Sequence, residues 1–148
     1  LFMLKSSFNI QNLFLLFFIT FFIPSSTSVY GGETPSVSGT KVYFINLSEG
    51  QTIQSPYILQ IGLTSQMGIA PALADWPDTG HHHILVDSTI KNMNKSISSK
   101  HIHLSKGQSE ISLKLPSGKH TIQIVFADYS HIPHDPPIMS EIINIIVE

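Results

Sequence analysis

At 148 residues the chain is the length of one ordinary domain. Its charges nearly balance, eight basic against ten acidic residues, and every basic residue is lysine. Without arginine or a basic patch, the bidentate contacts that read phosphates and guanine edges are excluded, and nucleic acid is not an expected partner. There is no cysteine, which excludes disulfides, thiolate zinc sites and iron–sulfur clusters; any metal has to be held by imidazole, carboxylate, carbonyl or thioether groups.

Residues 13–23 (LFLLFFITFFI) form an almost unbroken apolar run. It is about half the roughly 20 residues that a membrane-spanning helix needs. Lys5 precedes it and the small, polar 24–28 (PSSTS) follow, which is the order of regions in a secretory signal peptide, with cleavage expected after Ser28. The expectation is a signal peptide over 1–28 and a protein exported to the periplasm or the extracellular space, meeting the membrane only during export. An uncleaved anchor is the other reading. Residues 29–40, rich in Gly, Ser, Thr and Pro, read as a flexible lead-in, and 41–148 as the folded domain.

Within that domain, β-branched and aromatic runs bounded by turn formers predict strands over 41–47 (KVYFINL) and 57–63 (YILQIGL). In the second, Tyr57, Leu59, Ile61 and Leu63 alternate onto one face, read as core. Residues 64–79 show no pattern; a connection that long is often functional. Trp76, within it, is expected to pack over the core edge rather than stack on a ligand. Further strands are predicted over 82–87, 101–104, 110–115, 120–127 and 138–147, with 88–100 (STIKNMNKSISSK) read as an exposed loop. About seven short strands and no convincing amphipathic helix predict an all-β fold. Its expected form is a small antiparallel β-sandwich, Ig-like or fibronectin-like in architecture.

Seven of the eight histidines fall in three short windows, 81–83, 101–103 and 131–134. Residues two apart in a strand point the same way, so His81 with His83, and His101 with His103, can converge on one ion. His82 must then face the other way and reads as a core histidine. His131 and His134, three apart in a proline-stiffened segment, converge only if the chain turns near Pro133. Asp128 and Asp135 are carboxylates near enough to ligate, or to orient an imidazole. The candidate ligands are His81, His83, His101, His103, His131, His134 and Asp135, while His120 receives no role. Imidazole donors suit copper or zinc, and Met67 and Met139 offer thioethers to copper(I).

The segments TGHHHILVD (79–87), HIH (101–103), PSGKHT (116–121) and HIPHDPP (131–137) resemble the domain-of-unknown-function 4399 family of small exported bacterial domains, with the likeness running from about Lys41 to the C-terminus. The resemblance implies export and a single β-rich domain, and it brings no activity. From the residues alone, the leading reading is an exported, non-catalytic protein that binds copper or zinc. An envelope interaction module whose histidines form a structural hydrogen-bond network is the alternative. A third is a His-ligated metalloenzyme with Asp135 or Asp87 as base, although no G-x-S-x-G or H-E-x-x-H motif is present. A fourth is pH sensing by clustered imidazoles.

Overall fold

The computed structural model describes residues 32–64 and 66–148; the apolar run and the expected cleavage site lie outside them. Among the described residues there are ten strands and no helix: β1 (Val42–Phe44), β2 (Thr52–Ile53), β3 (Tyr57–Leu63), β4 (Gly68–Ile69), β5 (Thr79–Val86), β6 (Ile102–His103), β7 (Glu110–Leu113), β8 (Gly118–Ala127), β9 (Pro133–Met139) and β10 (Ile143–Val147). They form two sheets. The smaller is antiparallel, in the order β1-β3-β7, and the larger runs β2-β10-β8-β5-β4, with β6 also on β5 and β9 also on β8. The fold is all-β and sandwich-like, as the strand pattern predicts. The larger sheet is mixed rather than purely antiparallel, because β2 and β4 pair in parallel with their neighbours.

Three strands exceed the expected seven. The pairs in β2 and β4 are too short to show alternation. The third is β9, which holds three prolines; proline cannot donate to a ladder and is tolerated where one side of a strand needs no donor. Here β9 pairs with β8 on one side. On the other side the Asp135 amide donates to the Thr34 carbonyl and the Ser36 amide to the Asp135 carbonyl, each at 2.9 Å. Residues 32–36, read from sequence as part of a flexible lead-in, are thus strapped along β9.

The two sheets meet in the main core. Val42, Leu59, Ile61 and Leu113 from the small sheet pack with Ile84, Ile122, Ile124, Phe126, Ile143 and Ile145 from the large one. Tyr57 and Leu63 complete the expected core face of β3. The other face of the large sheet is also covered, where Leu85, Val125 and Ala127 pack with Ile97. Ile97 belongs to the 88–101 segment, so this polar stretch is not merely an exposed loop: one apolar residue pins it over β5 and β8. Burial on both faces explains why the ends of β5 (Ile84–Val86) and β8 (Ile124–Ala127) read as continuous apolar runs. Trp76 does not cover the core edge; it is 59% exposed.

Candidate metal centre

The centre is built on β5. Its alternation sends His82, Ile84 and Val86 to the main core and His81, His83 and Leu85 to the outer face of the large sheet. Register with β8 sets His81 opposite Ala127 and His83 opposite Val125. Those compact side chains leave room for two imidazoles. On the other side of β5, His103 of β6 stands directly opposite His83. Cross-strand partners share a face, so the two rings meet, with centroids 4.3 Å apart. The fourth ring, His131, comes from the turn between β8 and β9. It contacts His81, His83 and His103 at centroid distances of 4.7, 5.5 and 5.0 Å.

One nitrogen from each of His81, His83 and His131 lies within 4.8 Å of the other two. Nitrogens bound to a single tetrahedral zinc at roughly 2.0–2.1 Å would stand about 3.4 Å apart, so small side-chain rotations close the gap. His81 Nε2 and His131 Nδ1 share a hydrogen bond at 2.9 Å, whose proton an ion would displace. His81 and His83 are fully buried. Among the described residues, His81 Nδ1 and both nitrogens of His83 have no hydrogen-bond partner. Burial, and then the imidazoles of His131 and His103, push the His81 pKa down to about 4, against an upward pull from Asp128. Burial and the four neighbouring histidines 81, 103, 131 and 101 push His83 to about 2. His131 is lowered by burial and by His103. At neutral pH these rings are therefore uncharged, the state in which imidazole binds a metal.

The turn that delivers His131 is organised by Asp128, which is buried. One carboxylate oxygen accepts from the amides of Ser130 and Ile132, both at 2.9 Å, and the other accepts from the Thr34 hydroxyl at 2.7 Å. His131 takes a left-handed backbone conformation, φ 64°, which a non-glycine residue adopts only when its surroundings enforce it. Asp128 is thus a positioning residue rather than a ligand. Asp128→Ala strips acceptors from three donors and is expected to cost about 2–3 kcal/mol, whereas Asp128→Asn keeps an acceptor oxygen and is expected to cost about 1 kcal/mol. Thermal melts of the metal-free variants check this; an alanine variant that melts with the wild type would mean the turn is held by other contacts.

The remaining candidates lie elsewhere. His101 sits at the rim, its Nδ1 3.3 Å from the Ser88 hydroxyl. His134 does not converge with His131, because the turn ends at Pro133 and the new strand sends the His134 ring to stack on Phe126, at 5.7 Å, away from the cluster. It is fully buried there. Gly80 makes space for it: a Cβ at that position would lie 2.4 Å from the Ala127 carbonyl oxygen and 2.9 Å from His134 Nε2. His82 faces the main core beside Phe126, with Nδ1 3.4 Å from the Gln108 carbonyl. Asp135 is not among the converging groups. Met67 lies in the main core and Met139 against the smaller apolar cluster. At the far end of β5, Asp87 accepts from His120 Nδ1 at 2.6 Å and from the Thr121 amide at 2.8 Å, and His120 Nε2 donates to the Pro116 carbonyl at 2.9 Å. His120, given no role from sequence, is a clamp at the end of β5.

A family model described as Domain of unknown function (DUF4399) matches residues 59–148, more than half of the chain. All eight histidines fall inside that span, while Thr34 and the strap along β9 fall outside it. No curated protein and no solved structure matches the chain.

Proposed function

The chain belongs to the DUF4399 family, whose description assigns no activity, and we propose that it is a non-catalytic metal-binding protein. It holds one copper or zinc ion on His81, His83 and His131 and acts outside the cytoplasm. The observation that carries this reading is the state of the imidazole nitrogens. Leaving a buried polar atom without a partner costs on the order of 1–3 kcal/mol, and proteins rarely do so without a reason. Among the described residues six imidazole nitrogens are in this state, three on His81 and His83 and three on His82 and His134; only His81 and His83 also each bring one nitrogen to a shared patch with His131. An ion gives lone pairs in that patch a partner. An all-imidazole donor set suits copper or zinc and offers nothing to calcium or magnesium, which require oxygen. The placement outside the cytoplasm rests on the apolar run of 13–23 and the small residues after it.

A structural hydrogen-bond network describes His120, whose two ring nitrogens both have partners, and it reaches His81 and His131, which bond to each other, but it leaves out His83, which has no partner among the described residues. Metalloenzyme chemistry is disfavoured by the carboxylates offered as bases. Asp87 is engaged with His120 and Thr121 at the other end of β5, and Asp135 lies outside the converging group. Equilibrium dialysis of untagged protein at neutral pH, against copper(II), zinc(II), magnesium and calcium in turn, tests the proposal. One equivalent of copper or zinc and no uptake of the hard cations is expected. Uptake no tighter than that of free histidine would overturn it.

A further inference from the structure

We infer that His103 is the fourth ligand, bound through Nδ1, and that the site is a closed, four-imidazole tetrahedron suited to zinc(II). The assignment extends the three-imidazole reading above and stands only if that reading holds. His103 Nε2 lies 3.1 Å from the carbonyl oxygen of Ser98. A carbonyl can only accept, so Nε2 carries the hydrogen, and in the neutral ring the lone pair is left on Nδ1. Donation of the second ring N–H to a backbone carbonyl is the usual second-shell support of a metal-ligating histidine. The His103 ring packs on two of the three proposed ligands, 4.3 Å from His83 and 5.0 Å from His131; its nitrogens lie outside the 4.8 Å group of the other three, so the ring must turn toward the ion to bind.

The 88–101 segment supplies more than this one carbonyl. The amide of Ile97 donates to the carbonyl of His131 at 2.8 Å. Two successive residues, Ile97 and Ser98, therefore hold the backbone of one ligand and the ring of another. The buried Ile97 side chain anchors them against Leu85, Val125 and Ala127. The segment acts as a clamp that sets the distance between His131 and His103. Four nitrogen donors leave no position for water or substrate, which is the mark of a site that holds its ion rather than one that catalyses on it. Tetrahedral nitrogen coordination also favours zinc(II) over copper(II), which prefers a tetragonal arrangement.

Cobalt(II), a spectroscopic substitute for zinc, reports coordination through the intensity of its visible absorption. Wild-type protein and the His103→Ala variant are titrated with cobalt(II) and then with zinc(II), with His101→Ala as control. The wild type and His101→Ala are expected to give the intense tetrahedral spectrum. His103→Ala is expected to give a weaker, shifted one that added imidazole restores, and to bind zinc on the order of 100-fold more weakly. A His103→Ala variant with the wild-type spectrum and affinity would overturn the assignment while leaving the three-imidazole site standing. If the wild type takes up neither metal, it is the three-imidazole reading that fails. Should His103→Ala not fold, X-ray absorption of the zinc-loaded wild type decides instead: four imidazoles support the assignment, and three with an oxygen donor overturn it.

Discussion

Leucine in place of His83 is expected to leave the metal-free protein at least as stable as the wild type and to abolish its stabilisation by metal. His83 is fully buried and neither of its nitrogens has a hydrogen-bond partner among the described residues. Leucine has a similar volume, and volume-conserving core exchanges generally cost less than about 1.5 kcal/mol. Against that stands the relief of two unsatisfied polar atoms, worth about 1–3 kcal/mol for each such group. The metal-free melting temperature should stay level or rise by several degrees, since 1 kcal/mol moves a domain of this size by roughly 4 °C. Metal acts in the opposite direction. An ion that binds only the folded chain, at 1,000 times its dissociation constant, contributes about 4 kcal/mol, or more than 10 °C in the wild type. Melts of both proteins with and without zinc check this. A His83→Leu variant that loses several degrees without metal would mean that the ring serves the fold, and one that keeps the full zinc shift would mean that it does not serve the ion.

Acid is expected to unfold the metal-free protein between about pH 6 and pH 4. The pKa values of His81 and His82 are lowered from 6.5 to about 4, in both cases chiefly by burial, and that of His83 to about 2. A base whose pKa is lower folded than unfolded stabilises the fold above its unfolded value, and that stability drains away as the pH falls below 6.5 and the unfolded chain alone takes up protons. At 1.36 kcal/mol per pKa unit, each of the three rings has withdrawn about 2 kcal/mol by pH 5. Their sum, about 6 kcal/mol, is comparable to the whole stability of a typical domain. Burial lowers His101, His131 and His134 as well, so they act in the same direction. His120 acts oppositely. Its hydrogen bond to Asp87 raises its pKa, so its contribution is present below pH 6.5 and is lost as the pH climbs through the raised value. Asp87 itself is lowered: burial pulls it upward but is outweighed by the Thr121 amide and by His120. Far-UV circular dichroism from pH 8 to pH 4 should show a plateau above pH 7 and a steep loss below pH 6. Added zinc should displace the loss to lower pH, because the ion competes with protons for the same nitrogens. A profile flat down to pH 4.5 would contradict buried neutral histidines.

The all-β fold and the two faces of β5 were legible because alternation in a strand depends only on the order of residues. That order sent His81 and His83 one way and His82 the other without any knowledge of neighbours. Register was not legible. Nothing in HIH (101–103) says that His103 rather than His101 stands opposite His83, since that depends on pairing between segments far apart in sequence. The separation of His131 from His134 depended on a turn at positive φ. Its signal was present in D-Y-S-H (128–131), where an aspartate ahead of a serine can close a turn through its own carboxylate. The pinning of 88–101 by Ile97 was hidden because one apolar residue among polar neighbours has no period. Gly80 was equally silent: its reason is the approach of the Ala127 carbonyl and the His134 ring.

The most direct measurement is a crystal structure of the protein grown with zinc, with anomalous diffraction recorded on both sides of the zinc absorption edge. The expected result is one anomalous peak per chain on the outer face of the large sheet, with nitrogens of His81, His83 and His131 at roughly 2.0–2.1 Å from it. Zinc bound only at other residues, with these three rings still packed against one another and free of metal, would contradict the account.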